Sequence, residues 1–325
     1  AYDLPHMFST RRIGPDLSRV GRKYADDWHI AHLWNPQDVV ADSIMPRFPW
    51  LFEQAQQDTS PQLTEDGKAL VAYLQRLGTS IGDWRAGSIS TRISGAAALP
   101  VTAQARGELL SLGKEVYERR CVGCHGAKGD GKGPSAMFLT PKPRDFTTGL
   151  FKFRSSHQKD SLPTDTDLYL TVTHGLWGTA MPSMQEISDR QRWAVIQYLK
   201  TFSDRWAREP AGQPIAVPAE PAITTKSLER GKTLFLENCA LCHGDLGKSD
   251  GALAQPGMLL DEWGEPIPPA HLSLPAGSPG GVKLGHGGPR LYQAIVAGFS
   301  ATPMPPFDGL KEEEVWVLAH YLQCL

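Results

Sequence analysis

The sequence has no long hydrophobic run and no strong excess of charge. No stretch of its 325 residues approaches the roughly 18 consecutive apolar residues that a membrane-spanning helix needs, so no transmembrane segment is expected in this chain. The formal net charge of −2 argues against a nucleic-acid partner, which requires a basic surface. Ala1 does not begin a signal peptide, and we interpret the chain as a mature or trimmed soluble protein.

Residue arrangements typical of common enzymes are also missing. No Ser-His-Asp set, phosphate-binding loop or carboxylate pair stands out from the background. With 41% hydrophobic and 21% charged residues, the composition is that of a globular protein of about two or three domains. Cysteine is scarce, with five residues, and four of these lie in two short motifs. The fifth, Cys324, follows the helical residue Tyr321 and is interpreted as a small buried apolar residue.

Two copies of the pentapeptide Cys-x-x-Cys-His are the most informative feature. They are Cys121-Val122-Gly123-Cys124-His125 and Cys239-Ala240-Leu241-Cys242-His243. Two thiols at this spacing can bond to two vinyl groups on one edge of a porphyrin, and the adjacent histidine then faces the iron. The motifs predict two covalent c-type haems. A lone Cys-x-x-Cys would equally fit a zinc knuckle or a redox dithiol, but two copies that include the histidine favour haem.

The surroundings of the pentapeptide are repeated as well. A helical segment with a glycine and an aromatic residue four positions apart precedes each copy, and a Met-Pro pair and a helix with Trp and Tyr-Leu follow it. The interval from Met to Tyr is 17 residues in both copies. One folded unit is therefore present twice. The repeated residues are Gly113, Tyr117, Met181, Trp193 and Tyr198 in the first copy, and Gly231, Phe235, Met304, Trp316 and Tyr321 in the second.

This order of helix, Cys-x-x-Cys-His, long loop, Met-Pro and terminal helix resembles the class I cytochrome c fold over residues 105–204 and 227–325. The resemblance implies a proximal histidine and a distal methionine on each iron. A thioether is a soft, neutral ligand that raises the reduction potential, as expected for an electron carrier. The implied ligand pairs are His125 with Met181, and His243 with Met304.

Met184 is a rival to Met181, because it lies three residues further along the chain. Any single methionine is most simply a core residue. The proline after Met181 holds the methionine in extended backbone, which suits a loop laid against the haem face. The equal spacing to the terminal helix points the same way, and both features favour Met181.

The first 84 residues resemble a third cytochrome. Met45-Pro46 and the later Tyr73-Leu74 repeat the second half of the two units, but no Cys-x-x-Cys-His comes before them. A longer string closely resembles the monohaem cytochrome subunit of cb-type haem–copper oxidases. In that family a membrane anchor and a Cys-x-x-Cys-His precede the matching region, and this chain has neither. The string comprises Arg12-Ile13-Gly14-Pro15-Asp16-Leu17, Trp28-His29, His32-Leu33, Asn35-Pro36 and Ile44-Met45-Pro46-Arg47-Phe48-Pro49-Trp50.

The missing front half leaves an apolar helix face without a partner in this region. That face is formed by Leu70, Val71, Leu74 and Leu77. Three explanations remain open. An upstream segment supplies the Cys-x-x-Cys-His half, another polypeptide supplies it, or the domain has lost its haem and been repacked. The first two predict a third haem with Met45 as ligand.

Several other polar residues have two interpretations. His6, His29 and His32 are alternative ligands in principle, but a capping or surface role is favoured for His29 and His32, which share a helix face. A second group, Arg144, Lys152 and Arg154, could contact haem propionates through charge-assisted bonds, or could be solvated surface cations.

The predicted architecture is mostly α, with domains strung as beads on linkers rich in Pro and Ala. An incomplete cytochrome c-like domain spans residues 1–85, and cytochrome c domains span residues 105–206 and 227–325. Residues 86–104 and 207–226 have the composition of exposed connectors.

The predicted function is that of a periplasmic multihaem cytochrome. It would carry single electrons between a redox donor and a respiratory complex, as a subunit of a larger assembly. Covalent haem attachment belongs to the oxidising side of a membrane, which gives the location. The alternative is a dihaem peroxidase-type enzyme, which also has two Cys-x-x-Cys-His motifs. A peroxidatic haem needs a displaceable sixth ligand, whereas both copies here keep a Met-Pro pair.

Overall fold

The structure is a computed structural model that describes residues 17, 18, 20–53, 60–78, 103–274, 278, 280–283 and 287–325. Within these ranges the regular secondary structure is helical and no strand forms, which confirms the mostly α fold class. No helix in the same ranges is long and apolar enough to span a membrane. The connector predicted at 86–104 lies outside the described residues except for its last two positions.

Unit A comprises the described residues between 17 and 78. Its helices are α1 (Asp26–Trp34), α2 (Pro36–Val39) and α3 (Glu65–Arg76), with a 3-10 turn at Pro49–Leu51. The N-cap of α3 is Thr64, whose Oγ1 accepts a hydrogen bond from the Gly67 amide at 3.2 Å. The core of unit A consists of Leu33, Leu51, Phe52, Leu63 and Val71.

Unit B comprises residues 103–208. Its helices are α4 (Ala103–Arg120), α5 (Val122–His125), α6 (Asp165–His174), α7 (Asp189–Leu199) and α8 (Arg205–Arg208). The N-cap residues Thr164 and Ser188 form capping boxes that stabilise the first turns of α6 and α7. The core lies between α4, α6 and α7 and includes Val116, Phe146, Leu168, Val195 and Ile196.

Unit C comprises the described residues between 224 and 325. Its helices are α9 (Thr225–Asn238), α10 (Ala240–His243), α11 (Gly288–Ala297) and α12 (Glu312–Gln323). They repeat the order of α4, α5, α6 and α7. The core includes Leu234, Phe235, Leu291, Trp316 and Leu318.

A glycine at the crossing of the first and last helices brings their backbones into contact in units B and C. A Cβ atom added to Gly113 in α4 would lie 2.2 Å from the Ala194 carbonyl oxygen in α7. One added to Gly231 in α9 would lie 2.1 Å from the Val317 carbonyl oxygen in α12. The repeated glycine predicted from the sequence is therefore needed for close helix packing.

In unit A, the surface of α3 that corresponds to the helix crossing of units B and C is exposed. Alignment of the Tyr-Leu pairs places Ala69 and Tyr73 where Ala194 and Tyr198 meet α4 in unit B. Ala69 is exposed, and Tyr73 is 62% exposed. The apolar face predicted from Leu70 and its neighbours is instead partly buried, because it packs against α1 and the Pro49–Leu51 turn.

The connector at 207–226 is exposed over most of its length, as predicted, but it is anchored at several points, among them Gly212, whose amide donates to Leu162 O at 2.9 Å, and Ile215. Ile215 is 4% exposed and belongs to the core of unit C. Its amide also donates to the Ser155 carbonyl of unit B at 2.5 Å. The connector is thus fixed to the two units that it joins.

Units B and C contact each other directly, which differs from the predicted beads on a string. Arg154 of unit B is 6% exposed, and its guanidinium donates to the Ala297 carbonyl at 2.7 Å and the Gly298 carbonyl at 3.4 Å. The Asp160 amide donates to the buried Ser300 hydroxyl at 3.2 Å. These bonds join unit B to the loop that follows α11 in unit C.

Unit A also contacts unit B. The Ser135 hydroxyl donates to the Asp38 carbonyl at 3.0 Å, and the Thr140 amide donates to the Asp27 carboxylate at 3.0 Å. An apolar cluster from the two units completes the contact; its members include Trp28, Ala31, Val39, Cys124, Phe138, Leu139 and Ala180.

The C-terminal cysteine corrects one expectation. Cys324 is exposed, so its interpretation as a buried apolar residue is wrong. It is the C-cap of α12.

Candidate haem sites

Both Cys-x-x-Cys-His segments form the same helical turn. The Cys121 amide donates to Tyr117 O at 2.8 Å, and the Cys239 amide donates to Phe235 O at the same distance. The following histidine amide donates to the first cysteine carbonyl at 2.8 Å in unit B and 2.9 Å in unit C. Each turn ends at a glycine with positive φ, 78° at Gly126 and 77° at Gly244. Both copies therefore present two thiols and a histidine in one local geometry.

The two histidines are oriented by backbone carbonyls. His125 Nδ1 lies 3.0 Å from Arg144 O, and His243 Nδ1 lies 3.0 Å from Ala270 O. Because a carbonyl can only accept, Nδ1 carries the proton and donates. The proton on Nδ1 leaves the Nε2 lone pair free, as an iron ligand requires.

Burial favours the neutral form of both imidazoles. It lowers the pKa of His125 to about 4, and it also lowers the pKa of His243. A neutral imidazole is the form that binds a metal. The residues present in both units therefore fit a c-type haem.

The predicted distal methionines lie on equivalent loops. The Met181 amide donates to Thr179 Oγ1 at 3.2 Å, and the Met304 amide donates to Thr302 Oγ1 at 3.3 Å. In unit A the Met45 amide bonds the Ser43 hydroxyl at 3.3 Å in the same way. A hydroxyl two residues before the methionine thus holds the backbone at the Met-Pro pair in all three units.

Each methionine loop also passes close to a glycine at the end of the preceding helix. Gly175 after α6 has φ of 66°, and Gly298 after α11 has φ of 59°. A Cβ on Gly175 would lie 2.6 Å from Met181 O, and one on Gly298 would lie 2.5 Å from the carbonyl carbon of Pro305. Positive φ and the close approach both require glycine here.

Met184 occupies a core position. It is 9% exposed within the apolar cluster of unit B, and its amide donates to Val172 O at 3.2 Å. Phe307 in unit C and Phe48 in unit A make the same bond, to Ile295 O and Leu33 O, respectively. A phenylalanine in both other units indicates a packing role for Met184, which favours Met181 as the ligand.

Two histidines of unit A differ from expectation. His29 is 4% exposed, so the predicted surface or capping role is wrong for this residue. Its Nε2 is buried and has no hydrogen-bond partner among the described residues. The His32 ring stacks on Trp28 with centroids 4.7 Å apart, and burial lowers the pKa of His32 to about 4. His6 lies outside the described residues.

The three cations considered for propionate contacts are buried or half-buried, which excludes the solvated-surface interpretation. Arg144 forms an ion pair with Glu262 of unit C, and Arg154 is bonded to carbonyls. Lys152 has no hydrogen bond or ion pair within the described ranges; burial is the main cause that lowers its pKa to about 8. The nearby Lys283 of unit C likewise has no side-chain hydrogen bond or ion pair in these ranges, and burial lowers its pKa. These two ammonium groups, rather than the arginines, are available for propionates.

The groups that support the predicted ligands were not predicted from the sequence. The carbonyls of Arg144 and Ala270 follow a proline in each loop, and this repeated proline was a usable signal. The hydroxyl residues were visible too, because Ser or Thr stands two positions before each Met-Pro. Lys283 gave no signal, since its place beside Lys152 depends on how units B and C pack.

Comparison with known proteins agrees with this geometry. The family described as "Cytochrome c" matches residues 110–203 and 228–325, which together make up more than half of the chain. The family described as "Cytochrome C oxidase, mono-heme subunit/FixO" matches residues 1–66. A solved chain from the Kuenenia stuttgartiensis reducing HAO-like protein complex is similar, with 32% identity and a TM-score of 0.61 over 68% of this chain and 95% of that chain. The comparison with curated proteins gives no match.

The chain belongs to the cytochrome c family. Its tandem cytochrome c domains and its N-terminal region of the oxidase monohaem-subunit type confirm both resemblances drawn from the sequence. Two haem c groups are covalently bound, and the cysteine pairs at 121/124 and 239/242 are consistent with their attachment. The chain is therefore a multihaem electron-transfer cytochrome.

Proposed function

We propose that the chain is a periplasmic electron-transfer subunit that carries single electrons between a redox donor and a respiratory complex. The observation that carries this proposal is a geometry that units B and C share. In each unit the predicted histidine ligand donates to a backbone carbonyl, and the backbone amide of the predicted methionine ligand donates to a threonine hydroxyl. When bound, haem supplies the one-electron chemistry. The chain supplies attachment through its cysteines and an axial pair for each haem: His125 with Met181, and His243 with Met304.

Two observations support membership of a larger assembly. The similar solved chain comes from a protein complex, and residues 1–66 match a family of oxidase subunits. The direct contacts between units B and C hold the two sites at a fixed separation, as a path for electrons requires. Covalent haem attachment supports the periplasmic location, because it belongs to the oxidising side of a membrane.

Peroxide turnover separates the carrier from a dihaem peroxidase. With histidine and methionine on both irons, the wild-type protein should turn over hydrogen peroxide at less than about 1 per second in a steady-state assay with a reduced donor. The variant Met181→Gly opens one axial position and serves as a positive control with increased turnover. Wild-type turnover at ordinary enzyme rates would support the peroxidase instead.

We also propose that unit A belongs to a third haem site with Met45 as ligand. The Met45 backbone has the same hydroxyl support as Met181 and Met304. The surface at Ala69 and Tyr73 is exposed where an N-terminal helix packs in the other units. His29 Nε2 is buried and has no hydrogen-bond partner in the part of the chain that the structure describes, and His29 aligns with the core residues Leu168 of α6 and Leu291 of α11. These features fit a unit completed by a segment that carries another Cys-x-x-Cys-His.

The mass of the native protein tests this third site. If the completing segment is part of the same polypeptide, intact mass and haem staining should give three porphyrins per chain rather than two. If it lies on another polypeptide, a haem-staining partner should copurify. Two porphyrins per chain with no haem-staining partner would contradict the proposal and favour a repacked domain without iron.

A further inference from the structure

The two Cys-x-x-Cys-His turns differ in what covers them. In unit B, a Cβ atom on Gly123 would lie 1.7 Å from the Asp38 carbonyl oxygen of unit A, so only glycine permits this contact. The Ser135 hydroxyl donates to the same carbonyl, and the clustered Trp28 and Val39 pack beside Cys124. Unit A therefore closes the face of unit B at which the haem edge is attached.

The corresponding face of unit C is open. Leu241 replaces Gly123 and is 59% exposed. Residues 237–260 expose several other large apolar side chains, whereas Met137 is the exposed large apolar residue of the matching stretch 119–142 in unit B. Exposed apolar side chains concentrated in one stretch of the chain favour an interaction surface. The exposed apolar residues of unit C are Leu241, Leu246, Met258 and Leu260.

The charges around the two faces are opposite. In unit C, residues 237–260 contain three carboxylates and one ammonium group: Glu237, Asp245, Asp250 and Lys248. In unit B, residues 119–142 contain five basic residues and one acid: Arg119, Arg120, Lys128, Lys132, Lys142 and Asp130. A partner for the open face must therefore carry basic groups around its contact surface.

We propose that the Cys-x-x-Cys-His face of unit C is the docking surface for an external redox protein with an apolar contact surface surrounded by basic residues. Electrons then enter or leave the two intact haem units through unit C, while unit B exchanges them with its neighbours in the chain. A second copy of unit A cannot dock there as it does on unit B, because the Leu241 side chain occupies the space of the Asp38 carbonyl. This proposal rests on the proposed carrier function.

Charge substitutions at the two faces test where electrons enter. The probe is hexaammineruthenium(II), a small cationic reductant, and the measurement is stopped-flow reduction of the oxidised holoprotein at about 10 mM ionic strength. Leu241→Lys should slow the reaction about two- to threefold, because it adds positive charge at the open face. The effect should disappear at high salt. Met137→Lys, the matched variant on unit B, should leave the rate unchanged.

A basic small cytochrome c, used as a reduced protein probe, tests the apolar contact. Leu241→Ala should slow its reaction with the holoprotein about fivefold, as expected when a central apolar contact is lost, while reduction by the ruthenium probe stays the same. Amide hydrogen exchange gives a readout that does not depend on electron transfer. Residues 237–260 should gain protection when the basic protein is added, and residues 119–142 should not.

The outcomes separate this proposal from the carrier function. If the holoprotein accepts no electrons from either probe, the carrier function itself fails. If it accepts them but Met137→Lys slows reduction as much as Leu241→Lys, or neither variant has an effect, the docking proposal fails alone. Protection of 119–142 by the basic protein would also overturn it. In Gly123→Leu, which displaces unit A, Met137→Lys should gain the effect that it lacks in the wild type.

Discussion

Replacing Met181 with alanine should remove the weak sulfur-to-iron charge-transfer absorption at the red edge of the visible spectrum from one of the two haems. The same variant should lower the reduction potential of that haem by more than about 59 mV, a tenfold change in a one-electron equilibrium, because a thioether stabilises ferrous iron. Met304→Ala should do the same to the other haem. Optical spectra of the oxidised protein and potentiometric titration measure both effects.

Met184→Ala is the matched control, three residues from Met181. Met184 is 9% exposed in the core of unit B, so its loss should lower the free energy of unfolding by about 2–5 kcal/mol and leave the absorption band intact. Loss of the band in Met184→Ala, with the band retained in Met181→Ala, would mean that Met184 is the iron ligand and Met181 is not. A wild-type spectrum without the band would mean that neither methionine binds iron.

Two glycines of α4 should respond in opposite directions to the same substitution. Gly113→Ala should lower the free energy of unfolding of unit B by about 1–3 kcal/mol, because the new Cβ would meet the Ala194 carbonyl at 2.2 Å and force α4 and α7 apart. Gly107 has open space at its Cβ position, so Gly107→Ala should raise the free energy by up to about 1 kcal/mol through helix propensity. Denaturant unfolding followed by circular dichroism measures both.

The comparison of the two variants also tests the helix crossing. If Gly107→Ala and Gly113→Ala stabilise equally, the α4 and α7 backbones are not in contact. Gly231→Ala in α9 should repeat the effect of Gly113→Ala, because its Cβ would lie 2.1 Å from Val317 O.

The elements that the sequence predicted well are those with local, repeated patterns. Gly113 and Gly231 each lie at a helix crossing, and the two Cys-x-x-Cys-His segments form the same turn. Two independent copies made these patterns visible, because chance similarity does not preserve the order and spacing of the parts. The repeat also made the incomplete unit A recognisable, because Met45-Pro46 matches the Met-Pro pairs of the other two units.

The features that the sequence did not predict are a buried polar residue and contacts between distant segments of the chain. His29 carries no mark of burial, because histidine is polar and its neighbours in α1 do not form a clear apolar face. The anchoring of Ile215 and the Asp38 carbonyl on Gly123 each join segments far apart in the chain. Patterns in a single sequence describe one helix or turn at a time, and contacts between distant segments produce no periodic pattern in the sequence.

The bonds of Arg154 have a consequence for how the chain unfolds. If unit C opens, the buried Arg154 guanidinium loses its acceptors on Ala297 and Gly298 and keeps only the Gln158 carbonyl of unit B, and a buried charge with unsatisfied donors is costly. Opening of unit C therefore destabilises unit B as well. Units B and C should melt as one cooperative block rather than in two independent steps, although each has its own core.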